Sequence, residues 1–129
     1  MYSYMSVPMI TPDNFYQDFA REWVAAWNSH NLNVIMGHYA DEIEFYSPLI
    51  VKLNINPEGR ISDKQPLKEY FTKGLAAYPD LEFKLHHVLV GHGSVVLYYE
   101  SVNNTMSAEF MQLNAEGKIT AVRAHYSDK

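Results

Sequence analysis

Apolar residues recur at helical spacing from Asn14 to Ser29, where Phe15, Phe19, Trp23, Ala26 and Trp27 make one stripe. Asn31 or Asn33 restarts a shorter helix carrying Leu32, Ile35, Met36 and Tyr39. After Ala40-Asp41-Glu42 the period becomes two: Ile43, Phe45 and Ser47 alternate with Glu44 and Tyr46, a strand that Pro48 ends. Residues 50–64, with Pro57 and Gly59, predict a loop with room for an edge strand, either a lid or an ordinary connection. Pro66 suits the first turn of a third helix with Leu67, Tyr70, Phe71, Leu75 and Tyr78 on one face, and Pro79 closes it. Four strand-like runs follow, at about 81–90, 94–102, 105–113 and 118–126. They are separated by Gly91-His92-Gly93, Asn103-Asn104 and Asn114-Ala115-Glu116-Gly117. Helices segregated from an antiparallel sheet predict an α+β domain over residues 13–129, behind an N-terminal arm, 1–12. Thr11 or Asp13 is placed to cap the first helix.

Composition narrows the function. Ten Tyr, six Phe and two Trp in 129 residues supply either an aromatic core or a cavity edged with hydroxyls. A net charge of −5, without a Lys/Arg cluster, argues against a nucleic-acid partner. The lack of cysteine excludes disulfides, thiolate metal sites and cysteine catalysis. No apolar run approaches the ~20 residues of a membrane span. Met1 to Ile10 does not read as a signal peptide, so no membrane association and a cytoplasmic location are expected. His86 and His87, adjacent on a strand, are expected on opposite faces; with His92 in a turn and His30 and His38 near helix ends, no metal is expected. Glycine patterns that cradle phosphates are absent, and no cofactor is expected.

Three stretches carry a resemblance. Tyr39-Ala40-Asp41-Glu42 runs into Ile43-Glu44-Phe45-Tyr46-Ser47-Pro48, Leu67 to Leu75 reads Leu-Lys-Glu-Tyr-Phe-Thr-Lys-Gly-Leu, and Glu109 to Tyr126 ends in Ala124-His125-Tyr126. In this order, over about residues 14–127, the chain resembles the nuclear transport factor 2-like superfamily, and within it SnoaL-like and ketosteroid isomerase-like proteins. The resemblance implies a cystatin-like fold, a cone-shaped roll of curved sheet with three helices enclosing a pocket. It does not name a reaction, since the fold hosts isomerases, cyclases, dehydratases and plain binding proteins.

Matched to the ketosteroid isomerases, the general-base aspartate falls at Ser47 and the oxyanion-binding tyrosine at Trp23. The supporting tyrosine matches Tyr39, the second aspartate falls at Glu109, and the pocket tryptophan falls at Tyr126. A serine cannot shuttle a carbon-bound proton without a stronger base, so steroid-type isomerisation is not expected. If Glu109 faces the cavity, alternation places Ser107 and Met111 on its wall, and Tyr126 beside Ala124 and Val122. The expected pocket is lined by Trp23, Trp27, Tyr39, Phe45, Ser47, Tyr70, Tyr98, Met111 and Tyr126, with Glu109 the candidate acid/base and a small hydrophobic molecule the partner. The match turns Val96, Tyr98 and Glu100 inward, whereas the strand reads equally well with Val95, Leu97 and Tyr99 inward. With both faces apolar, a homodimer through the outer sheet face is expected, resting on Val95, Leu97 and Tyr99. Either a cofactor-independent isomerase, cyclase or lyase or a non-catalytic ligand-binding or dimerisation domain fits these features.

Overall fold

The computed structural model describes residues 14–127; the expected arm and the capping residues Thr11 and Asp13 lie outside the described residues. Helix α1, Phe15–Ser29, buries Phe19, Ala20, Trp23, Ala26 and Trp27, the face its periodicity marks. It ends at His30, whose left-handed backbone (φ 60°) lets its N–H reach Trp27 O. Asn31 then caps α2, Leu32–Met36, accepting the N–H groups of Asn33 and Val34.

Six strands form one sheet in the order β2-β1-β6-β5-β4-β3. They are β1 Tyr39–Tyr46, β2 Arg60–Ser62, β3 Lys84–Val90, β4 Ser94–Glu100, β5 Met106–Leu113 and β6 Ile119–Tyr126. The C-terminal four form the antiparallel meander expected, and β2 is the expected edge strand. One pairing departs from the antiparallel pattern: β1 runs parallel to β6. That ladder reaches back to Tyr39, opposite Ile119, so Tyr39 opens the strand rather than riding the second helix. Helix α2 stops at Met36 because Gly37 and His38 already lead into the ladder, where His38 O accepts the Ile119 N–H.

The connection after β1 is more ordered than a loop. Ser47 caps a short helix α3, Pro48–Lys52, by accepting the Leu49 N–H at 3.1 Å, and Pro48 occupies its first turn. The proline that ends the strand therefore also starts a helix. Helix α4, Lys64–Ala77, buries Leu67, Tyr70 and Phe71 against the sheet.

Strand register decides what faces inward. Val95, Leu97 and Tyr99 of β4 are at most 1 % exposed and join the core. Tyr98 is 36 % exposed, on the outer face, where its ring stacks on His87. This corrects two expectations: Tyr98 is not a pocket residue, and Val95, Leu97 and Tyr99 are not outer-face residues available for pairing. The histidine expectation also changes. A bulge between Leu85 and His87 brings both His86 and His87 to within about 6 Å of the Tyr98 ring (6.1 and 6.0 Å between centroids). Among the described residues no three His, Asp or Glu side chains gather as a metal site would require, and no helix is long and apolar enough to cross a membrane.

Candidate functional site

The concave face of the sheet is built in rows of register partners. Val95, Met111, Val122 and Phe45 make one row, Leu97, Glu109 and Ala124 the next, and Tyr99, Ser107 and Tyr126 a third. Glu109 thus sits mid-sheet between two apolar neighbours, one row in from two tyrosines. It is 3 % exposed, and the Tyr99 hydroxyl donates to its Oε1 at 2.5 Å. Burial pushes the Glu109 carboxyl up to about 7, and the Tyr99 bond only partly offsets this. Such a carboxyl exchanges a proton near neutrality.

Aromatic rings from the helices close the site. Trp23 of α1 stacks on Phe83 (5.7 Å, 17°) and meets Tyr99 edge-on at 5.4 Å. Trp27, one turn on, packs edge-on against Phe71 of α4 at 4.7 Å, and Phe71 in turn meets Tyr39 and Phe45. The segment before β3 is tied to the end of α1. Asn28 donates to Phe83 O (3.0 Å) and accepts the Phe83 N–H (2.7 Å), and the His30 ring bonds Leu81 O (2.8 Å). These bonds set Leu81 and Phe83 as one wall.

The polar atoms converge on the same space. Trp23 Nε1 donates to the Tyr39 hydroxyl at 3.1 Å. The Ser47 hydroxyl lies close enough to the Tyr70 and Tyr126 phenols to ease their ionisation, although burial dominates. Burial, reinforced by the Glu109 charge, raises Tyr39, Tyr99 and Tyr126 well above the ordinary phenol value. Burial takes Tyr70 to about 12. All four phenols therefore remain hydroxyl donors at neutral pH.

A cavity of about 70 Å³ lies among Trp23, Trp27, Phe45, Tyr70, Glu109 and Tyr126. A single water needs ~10–15 Å³ on this scale, so the space holds a few waters or part of a small flat molecule. Outward, past Tyr78, Leu81, Ser101 and Val102, it meets a polar cleft containing Lys84, Glu100, Asn103 and Asn104. Tyr39, Ser47 and Met111 are buried just behind the lining, at 1 %, 3 % and 0 % exposure. The walls also include Tyr99, Phe71, Leu81 and Phe83, and Leu49 and Leu53 from around α3. Helical spacing places Phe71 on the inward face of its helix but does not by itself bring it to the site. The Leu81-Glu82-Phe83 alternation is the sequence signal for the wall before β3. Leu49 and Leu53 carry no such signal, because the apolar run Leu49-Ile50-Val51-Lys52-Leu53 is too short to show a helical period.

Residues 20–124 match the model of the SnoaL-like domain. The chain is 34 % identical to a SnoaL-like protein of unknown function from Burkholderia thailandensis E264, covering 92 % of this chain and 99 % of that one, with a TM-score of 0.85. A nuclear transport factor 2-like protein of unknown function from Cytophaga hutchinsonii shares the fold at 15 % identity (87 % and 89 % covered, TM-score 0.67). So does SalBIII, an epoxide hydrolase/cyclase-like enzyme of pyran ring formation in the polyether salinomycin, at 16 % identity (89 % and 92 % covered, TM-score 0.71). No curated protein matches the chain by sequence. With most of its length matching the domain model and a third of its residues shared with a full-length structural relative, this chain belongs to the SnoaL-like family, with the nuclear transport factor 2-like α+β fold.

Proposed function

We propose that this protein acts on a small apolar molecule held in the aromatic cavity, as a cofactor-independent isomerase, cyclase or lyase with Glu109 as its acid/base. The observation that carries the reading is the geometry of the Glu109 carboxyl, 3 % exposed on the cavity wall and bonded by the Tyr99 hydroxyl, where burial raises its pKa to about 7. A carboxyl in that state takes a proton from a carbon beside a carbonyl, or from a hydroxyl closing a ring, and returns it elsewhere. Tyr99 steadies the carboxylate while it holds no proton. Burial of both groups keeps bulk water from competing for the transfer.

A second reading, ligand binding without turnover, is supported by the small free volume and by the rings that already fill much of the interior. A thermal-shift screen of small carbonyl, enolic and aromatic compounds on wild type and Glu109→Gln separates the two. Ligand at ~100 times its dissociation constant stabilises by ~2.7 kcal/mol. Hits that stabilise both proteins and are converted only by the wild type are the expected result. Equal binding without conversion would replace catalysis by binding alone.

A further inference from the structure

Glu109 is flanked on both sides by a tyrosine one row along the sheet, Tyr99 on β4 and Tyr126 on β6, since Ser107 pairs with both. Diagonal neighbours of this kind stand within reach of long side chains. The two phenols are used differently. Tyr99 spends its hydrogen on Glu109 Oε1. Tyr126 lines the cavity together with Glu109, as does Tyr70 from α4, but neither hydroxyl bonds another described residue; among the described phenols only Tyr39 and Tyr99 do. Of the unpartnered polar side-chain atoms, Trp27 Nε1 and Ser107 Oγ are sealed in packing, whereas the Tyr70 and Tyr126 oxygens border open space. The Tyr126 hydroxyl lies among Glu109, Ser47, Tyr70 and Tyr39, whose charge or hydrogen bonding acts on it. Ser47 spends a lone pair on the Leu49 N–H at 3.1 Å, so its own hydrogen is left to steady a phenol oxygen. Glu109 Oε2, in turn, meets no donor among the described residues. One small space thus holds a carboxyl oxygen with a free lone pair and a phenol with a free hydrogen.

Resting on the Glu109 reading above, we propose that Tyr126 is a second catalytic residue, the donor to the substrate's oxygen with Tyr70 beside it, and that the substrate is a small carbonyl compound bearing hydrogen on the adjacent carbon. Glu109 Oε2 takes that hydrogen as a proton. The C–H electron pair becomes a carbon–carbon double bond, and the carbonyl π pair moves onto oxygen, where the Tyr126 O–H meets the new charge. Among the described lining residues there is no Lys or Arg to do so. Return of the proton from Glu109 to the same or a conjugated carbon closes the cycle without a co-reactant. Donors fixed where charge develops favour the enolate over the ketone. Ring closure on an epoxide would need the attacking hydroxyl and the epoxide together in about 70 Å³, whereas a carbonyl and its neighbouring carbon need only a flat group between base and donor.

The test follows exchange of solvent deuterium into cyclohex-2-enone by proton NMR, with affinity from a ligand-observed titration. The wild type is expected to exchange the enone faster than buffer does, and Glu109→Gln is not. Tyr126→Phe should exchange it about 10²- to 10³-fold more slowly than wild type, the cost of one lost donor to a developing oxyanion. Its affinity should fall by no more than about 12-fold, the upper worth of one neutral hydrogen bond. Tyr98→Phe, which removes a phenol from the outer face, should match the wild type. Equal exchange by wild type and Tyr126→Phe removes Tyr126 and leaves Glu109 as the base. Affinity and exchange falling in the same proportion would make Tyr126 a packing residue. Binding to the wild type without exchange, or no binding, removes the roles of both residues. If Tyr126→Phe does not fold, the infrared carbonyl stretch of enone bound to the wild type decides. A stretch lowered as in an alcohol supports a donor at the oxygen, and one at its alkane-solvent value overturns the proposal.

Discussion

Tyr98 and Tyr99 are neighbours of the same type on one strand, and the sheet sends them to opposite environments. Tyr99 is 1 % exposed, touches Trp23 and Phe83, and bonds a buried carboxyl. Tyr98 is 36 % exposed and keeps company with His86 and His87. Across the strand, Glu109 and Glu100 repeat the contrast. Glu109 is lifted to about 7 by burial, whereas the carboxylate of Glu100 lies 3.7 Å from the His86 ring with 35 % of its side chain exposed. The inner and outer faces of this sheet hold similar residues. On the inner face, withdrawal of water is the largest cause of the raised Glu109 carboxyl and of the raised Tyr99 phenol.

The largest effects should come from breaking the inner face. Trp23→Ala removes a side chain that touches Trp27, Phe83 and Tyr99, and is expected to destabilise by ~3–5 kcal/mol in chemical denaturation. Tyr98→Ala, on the outer face, should change stability by less than ~1 kcal/mol. Comparable losses at the two positions would mean that the two faces are not energetically distinct.

The Glu109 titration sharpens the same contrast. Its folded pKa, about 7, exceeds the unfolded value of 4.5, so the folded state holds the proton more tightly. The associated stability is fully present below pH 4.5 and lost as pH rises through 7, about 3 kcal/mol at ~1.4 kcal/mol per pH unit. His38, whose pKa burial lowers, works in the opposite direction on its own. The quantity to follow is therefore the pH dependence of wild type minus that of Glu109→Gln. A flat difference between pH 4.5 and 8 would mean that Glu109 is solvated in the folded protein.

The smallest effect tests what the cavity is for. Gly74 lies inside α4 on the cavity wall, and a Cβ there would meet no atom within 4 Å. Glycine in a helix costs roughly 0.5–1 kcal/mol relative to alanine, and nothing in the packing requires it here. Gly74→Ala is expected to raise stability by about that amount, while Gly74→Leu, which reaches into the cavity, should weaken any ligand found in the thermal-shift screen. An unaltered affinity in the leucine variant would show that ligand does not approach this wall.

Much of this architecture was legible in the chain. The α1 stripe, the meander with its turns and the switch to period two at Ile43 each follow from local periodicity and turn chemistry. Placement of Glu109 with Ser107 and Met111 on one wall follows from alternation alone, and the structure has the three at 3 %, 0 % and 0 % exposure. Three features were not legible. In β4 both parities are apolar, and only the pairing of Leu97 with Glu109 and of Tyr99 with Ser107 decides which tyrosine enters. The five-residue α3 is too short to show a period, so its cap Ser47 and first-turn Pro48 read equally as the end of a strand. Tyr39 belongs to a parallel ladder whose partner, Ile119, lies eighty residues on. Local pattern thus determined the elements and one inward carboxyl. Which rings surround that carboxyl depended on contacts between segments far apart in the chain, where register and water exclusion act together.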